Sequence, residues 1–117
     1  MDKQSALSAL SALGQDTRLD AFRLLVRIGE RGMPAGEIAT RLGTVQNTMS
    51  AHLKVLDQAG LARPVRDGRT VRYVADMARF RDLLAYLMED CCNGSPELCR
   101  PVIDAVTCGS QPIREVA

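Results

Sequence analysis

The 117-residue chain lacks any apolar run approaching membrane length, and its first thirty residues already hold Asp2, Lys3, Asp16, Arg18, Asp20, Arg23 and Arg27. Those charges break up the apolar centre that a secretory signal needs, so the reading is a cytoplasmic protein with no membrane partner. The chain has one histidine, His52, no glycine-rich phosphate loop and no Cys-x-x-Cys. That leaves too little for an active site, so neither catalysis nor an organic cofactor is expected. Net charge is only +1. A large overall field that would gather a polyanion is therefore absent.

The charge that is present is unevenly placed. Residues 35–75 hold six basic side chains (Arg41, Lys54, Arg63, Arg66, Arg69, Arg72) against three acidic, while residues 76–117 hold four basic against seven acidic. A basic middle beside an acidic tail suits a polyanion that docks on the middle alone. At 117 residues and 46% hydrophobic, the chain has room for one core built without covalent staples.

The repeat "SALSALSAL" over residues 5–13 reads as a short helix with a stripe of Leu7, Leu10 and Leu13, or as a low-complexity arm, since Ser is a mediocre helix former. Leu19, Phe22, Leu25, Val26 and Ile28 mark an amphipathic helix from about Asp16 to Glu30, stopped by Gly29 and Gly32. Pro34 suits the first turn of a short helix carrying Ile38, Ala39 and Leu42, with Gly43 in the left-handed position after it. Thr44 offers a capping hydroxyl to a further helix in which Val45, Met49, Leu53 and Leu56 face inward, ending at Gly60. Two short helices joined by a glycine-containing turn form a helix-turn-helix.

Beyond Gly60 the period changes. Asp67-Gly68 is a hairpin turn between runs containing Val65, Val71, Tyr73 and Val74, with Pro64 restricting the first strand to an edge. Asp76 can then cap a helix whose Phe80, Leu83, Leu84, Leu87 and Met88 share one face. The stretch from Arg100 to Ala117 reads as loosely ordered. The predicted fold is mainly α with a small β-hairpin, a winged helix-turn-helix. Its first and last helices carry more apolar surface than so small a core absorbs, which predicts a homodimer.

On the helix from Val45 to Ala59, an advance of about 100° per residue leaves Asn47, Ser50, Ala51 and Lys54 outward. Small and polar residues there allow close approach to a duplex. Gln46 and Asn47 are placed to read base edges, Ser50 a base or phosphate, and Lys54 a phosphate, with Arg66, Arg69 and Arg72 around the wing turn. The bland alternative is an ordinary solvated helix face. His52 falls on the flank of the inward face and reads as a packed, hydrogen-bonded residue.

"NTMSAHLKVLDQAGLA" followed by "VRDGRTVRY" resembles the ArsR/SmtB family of metal-responsive winged-helix repressors. The family pattern Ser-x-His-Leu-x-x-Leu-x-x-Ala-Gly-Leu is met by Ser50, His52, Leu53, Leu56, Ala59, Gly60 and Leu61, and the similarity runs from about residue 8 to 92. The resemblance implies a homodimer that holds operator DNA without metal and releases it when metal binds. It also divides the chain into residues 1–92, for DNA binding and dimerisation, and residues 93–117, a metal-binding loop and tail.

In the family's best-known arsenic site a Cys-Val-Cys pattern lies on the first helix of the DNA-binding motif; "GEIATRLG" here has no cysteine. Cys91-Cys92 with Cys99 beyond resembles instead the arsenite sensors that carry a Cys-Cys pair and a third cysteine downstream, although Cys99 stands one residue further along than in that branch. Trivalent arsenic or antimony is soft and is satisfied by three thiolates in a pyramid. Adjacent cysteines have Cα atoms about 3.8 Å apart. That is less than the roughly 4.4–6.8 Å of a disulfide, so Cys91 and Cys92 resist joining each other. Zinc or cadmium would want a fourth ligand from Cys108, Glu97, Asp90 or water. A thiol-redox switch at Cys99 or Cys108, or inert cysteines, are the other readings, and Cys108 is otherwise a bystander. In a reducing compartment the thiols are expected free.

Overall fold

A computed structural model of the chain describes residues 1–89, 97 and 99–106. Helix α1 (Lys3–Leu13) opens at Asp2, whose carboxylate accepts the Ser5 N–H at 2.8 Å. That backbone hydrogen bond and a second from the Ser5 side chain hold the Asp2 carboxyl below its ordinary range. The helix forms, and Leu7 and Leu10 stay outside the core, as its surplus of apolar surface predicts. Ala6, Ala9 and Ala12 are buried, while Leu7 is 48% and Leu10 42% exposed. A three-residue repeat gives alanine and leucine equal stripes, so period alone does not say which faces in. Alanine wins because its small side chain lets α1 lie close on its neighbours.

Helix α2 (Asp16–Ile28) buries Ala21, Phe22, Leu24 and Leu25 and leaves Leu19 and Val26 exposed. It ends at Gly29, whose φ of 76° stops the helix, and a single 3-10 turn (Gly29–Arg31) leads to a two-residue strand β1 (Met33–Pro34). Pro34 then stands in extended backbone at the cap of α3 (Ala35–Leu42), which Gly43 closes in the left-handed conformation, φ 68° and ψ 33°.

Helix α4 (Gln46–Gln58) begins one residue later than a Thr44 cap would start it. Val45 is itself the N-cap, in extended backbone and 70% exposed, and the Thr44 hydroxyl reaches only the Leu42 carbonyl at 3.5 Å. Val45 is therefore not part of the core. Met49, Leu53 and Leu56 are fully buried as the pattern requires.

Strands β2 (Ala62–Asp67) and β3 (Thr70–Ala75) pair antiparallel from Ala62↔Ala75 to Asp67↔Thr70. The turn is thus Gly68-Arg69, one residue later than the expected Asp67-Gly68, with the positive φ of 59° at Gly68. The strand β1 was not anticipated. It pairs with β3 through Met33↔Tyr73 and Pro34↔Arg72, giving the order β1-β3-β2. Two residues, one of them proline, directly after a glycine carry too little pattern to read as a strand. Pro64 lies on the edge strand, where its missing N–H costs no ladder bond.

Asp76 accepts the Arg79 N–H at 3.0 Å and so caps α5 (Met77–Leu87). Of its apolar face, Leu83 enters the core and Phe80 packs its ring 5.2 Å from that of Phe22, whereas Leu84 and Leu87 stay exposed. The core joins Leu25, Met33, Ile38, Met49, Leu53, Leu56, Leu61 and Leu83. Burying such side chains stabilises the fold by roughly 1.5–3 kcal/mol each before entropy is counted.

The chain forms two compact units, Met1–Tyr86 and Leu87–Ala117. In the second, residues Arg100–Val106 form helix α6, which corrects the expectation of a loose tail for that stretch. Pro101 in the first turn is compatible with a helix start, a signal outweighed by the preceding Gly94 and Pro96 when the sequence is read alone. The rest of the expected tail, residues 107–117, lies outside the described residues. Among the described residues no helix is long and apolar enough to cross a membrane.

Candidate nucleic-acid interface

Helices α3 and α4 meet through Gly43, Thr44 and Val45 as a helix-turn-helix, and the buried row Met49, Leu53, Leu56 fixes how α4 is rotated. That rotation leaves Gln46, Asn47, Ser50, Ala51 and Lys54 all exposed. Thr48 is exposed in the same first turn, a hydroxyl that the inward-outward reading passed over. Gln46 also reaches toward α3. Its amide lies over Gly36 of α3, where a methyl would stand 3.2 Å from Oε1 and 3.6 Å from Nε2.

At the wing, Arg66 and Arg69 are exposed, and neither makes a hydrogen bond or ion pair with a described residue. Arg72, expected at the DNA with Arg66 and Arg69, makes contacts within the chain. Its Nε donates to Asp67 Oδ2 at 2.7 Å, and its Nη1 donates to the carbonyl of Arg31 at 2.6 Å and, more weakly, to that of Glu30 at 3.5 Å. The guanidinium is half-buried and ties the wing to the turn after α2. A side chain that alternates outward on a strand can still fold back along the surface, which is why strand alternation did not reveal this.

His52 is half-buried and hydrogen-bonded, with Nδ1 3.3 Å from Arg18 Nη1. Beside α4, Gly60 takes a φ of 82°, and Arg79 lies directly over it, Nε 2.7 Å from where a Cβ would be. That Nε is buried with no hydrogen-bond partner among the described residues.

Of the thiols, Cys91, Cys92 and Cys108 lie outside the described residues. Cys99, just before α6, is 5% exposed and disulfide-bonded. This departs from the expected free thiol. The expectation rested on the redox poise of the compartment, which sets how often a disulfide forms and not whether sulfur can reach sulfur. Arsenic takes thiolates, so Cys99 can serve as a donor only once reduced. Among the described residues no group of three or more His, Cys, Asp or Glu stands close enough to hold a metal ion.

An exposed polar helix beside an arginine-bearing wing on a helical core defines a DNA-binding transcriptional regulator. Residues 13–65 match the helix-turn-helix domain family. The chain is 34% identical over 74 residues to the HTH-type transcriptional regulator YceK of Bacillus subtilis (strain 168), covering 63% of this chain and 72% of that one. It is similar to the solved structure of an ArsR-like transcriptional regulator from Rhodococcus sp. RHA1, with a TM-score of 0.66, 25% identity, and coverage of 90% of this chain and 95% of that one. A possible transcriptional regulator for arsenical resistance matches with a TM-score of 0.57 and 30% identity, covering 86% of this chain and 98% of its own. The chain belongs to the ArsR/SmtB-like family of winged helix-turn-helix transcriptional regulators. Its role is regulatory and not enzymatic.

Proposed function

We propose that the protein is an arsenite- or antimonite-responsive repressor that holds operator DNA as an apo homodimer and lets go when Cys91, Cys92 and Cys99 ligate As(III) or Sb(III). The observation that carries the DNA half is the joint exposure of Asn47, Ser50 and Lys54 on α4 with Arg66 and Arg69 on the wing. Gln46, packed on Gly36, and Arg72, anchored to Asp67, would set the approach of helix and wing. Residues 1–92 serve DNA binding and dimerisation and end on the Cys91-Cys92 pair, and residues 93–117 supply the third thiol, Cys99. The apolar Leu7 and Leu10 of α1 and Leu84 of α5, exposed in the single chain, favour the homodimer.

The inducer half is supported by the chemistry of the donor set. Three thiols within nine positions match a soft ion that needs three thiolates. Serine substitution tests it: Cys91→Ser, Cys92→Ser and Cys99→Ser should each keep DNA binding and lose release by arsenite under reducing conditions, and Cys108→Ser should behave as the parent. Normal release in Cys99→Ser would end the three-thiolate reading.

A second reading is favoured by the disulfide at Cys99: the same fold could answer thiol oxidation. Diamide and arsenite arms separate the two. Release by diamide alone, reversed by dithiothreitol and unaffected by arsenite, would make the protein a redox regulator.

A further inference from the structure

One guanidinium in the unit Met1–Tyr86 touches two helices from a third. Arg18, in the first turn of α2, donates its Nε–H to the Ala12 carbonyl at the end of α1, at 2.7 Å. Its Nη1 lies 3.3 Å from His52 Nδ1, in the middle of α4. The Arg18 backbone N–H meanwhile donates to Gln15 Oε1 at 2.9 Å, so the residue is held at its root as well as its tip.

Each contact has a separate physical reason. Ala12 is in the last turn of α1, where carbonyls have no intrahelical partner and a positive charge is favoured. A guanidinium only donates, so the His52 contact is a hydrogen bond only when Nδ1 carries no proton, as in the Nε2–H tautomer. Capping α1 would require only the Ala12 carbonyl. The second arm of the fork adds a link to α4.

The placement gives the link its meaning. α1 carries Leu7 and Leu10, the exposed leucines offered to a second copy, and α4 carries the exposed residues offered to DNA. We propose that Arg18 is a positioning residue for operator binding, which fixes α4 to the C-terminal end of α1 through the Nε2–H tautomer of His52. This rests on α4 being the DNA-contacting helix. Neither Arg18 nor His52 touches DNA; they set where α4 stands with respect to the helix that meets the partner copy.

His52 is the chain's one histidine, so its ring nitrogens give a single, unambiguous pair of 15N resonances. The intact protein at pH 8 should show Nε2 protonated and Nδ1 bare, and Arg18→Met should move both resonances toward the tautomer mixture of a free imidazole. In operator binding followed by anisotropy, Arg18→Met and His52→Leu should each weaken affinity about tenfold, the effect of losing one charge-assisted hydrogen bond. The double variant should be no weaker than the worse single one, because both act through one contact. His52→Gln, whose amide oxygen can accept from Arg18, should recover most of the loss, and sedimentation should show dimers throughout. A wild-type ring protonated on Nδ1, additive losses, or full affinity in His52→Leu would overturn the proposal. Should the wild-type chain bind no DNA, the regulator reading would fail while the tautomer measurement still decided the link.

Discussion

Arg72 closes the wing onto Asp67, Nε to Oδ2 at 2.7 Å, and with the same guanidinium grips the Arg31 carbonyl at 2.6 Å. One side chain thus braces the hairpin and moors it to the turn that follows α2. We propose that this brace sets the wing's stance toward DNA and leaves the charge toward phosphates to Arg66 and Arg69.

The three arginines should therefore respond differently to substitution. Arg66→Ala and Arg69→Ala should weaken binding to all sequences alike, and each should lower the slope of log K against log salt by about one. Arg72→Ala should weaken binding while leaving that slope near the parent value, and Arg72→Lys should not restore it, because an ammonium cannot form the guanidinium's planar fork. Equal slopes for all three variants would place Arg72 on the DNA after all.

Gly36 should matter to DNA reading without mattering to folding. A methyl there would stand 3.2 Å from Gln46 Oε1, so the amide would have to shift by a few tenths of an ångström. Because alanine favours a helix by about 1 kcal/mol over glycine, Gly36→Ala should fold at least as stably as the parent. Its discrimination among operator variants at one base position should change several-fold. Unchanged discrimination would mean that Gln46 reads no base.

Gly60 should be a stability position. An alanine there would hold a φ of 82° and push its methyl to 2.7 Å from Arg79 Nε. The backbone strain alone costs about 1–2 kcal/mol. A fall in Tm of roughly 4–10 °C should follow in thermal unfolding. Shortening Arg79 in the same chain should return part of it, whereas an undiminished loss would assign the whole cost to the backbone.

The sequence made the fold class legible through features that depend on one residue type each: Gly43 in its left-handed position, Asp76 as a cap, and Met49, Leu53 and Leu56 at helical spacing. It misplaced features decided by competition between neighbours. The leucine stripe of α1 was legible as surface in excess of the core, but not that Ala6, Ala9 and Ala12 would form the buried row. The wing turn slid by one residue because Gly68 took the first turn position instead of the second. At the candidate interface, exposure was readable from periodicity, but the Arg31 carbonyl that Arg72 grips comes from a turn distant in sequence. Strand β1 was hidden for the same reason, since it exists only by pairing with β3. Cys91 and Cys92, the adjacent pair on which the inducer reading depends, lie outside the described residues.

The central claim is that metalloid capture by thiolates opposes the hold on DNA, and such coupling must be reciprocal. The most direct measurement is arsenite affinity, by titration under reducing conditions, for the free protein and for the protein saturated with a fragment of its own upstream DNA. The account predicts weaker arsenite binding on DNA, by the same factor by which arsenite weakens the DNA complex. Equal arsenite affinities in the two states, with the DNA complex intact at saturating arsenite, would contradict it.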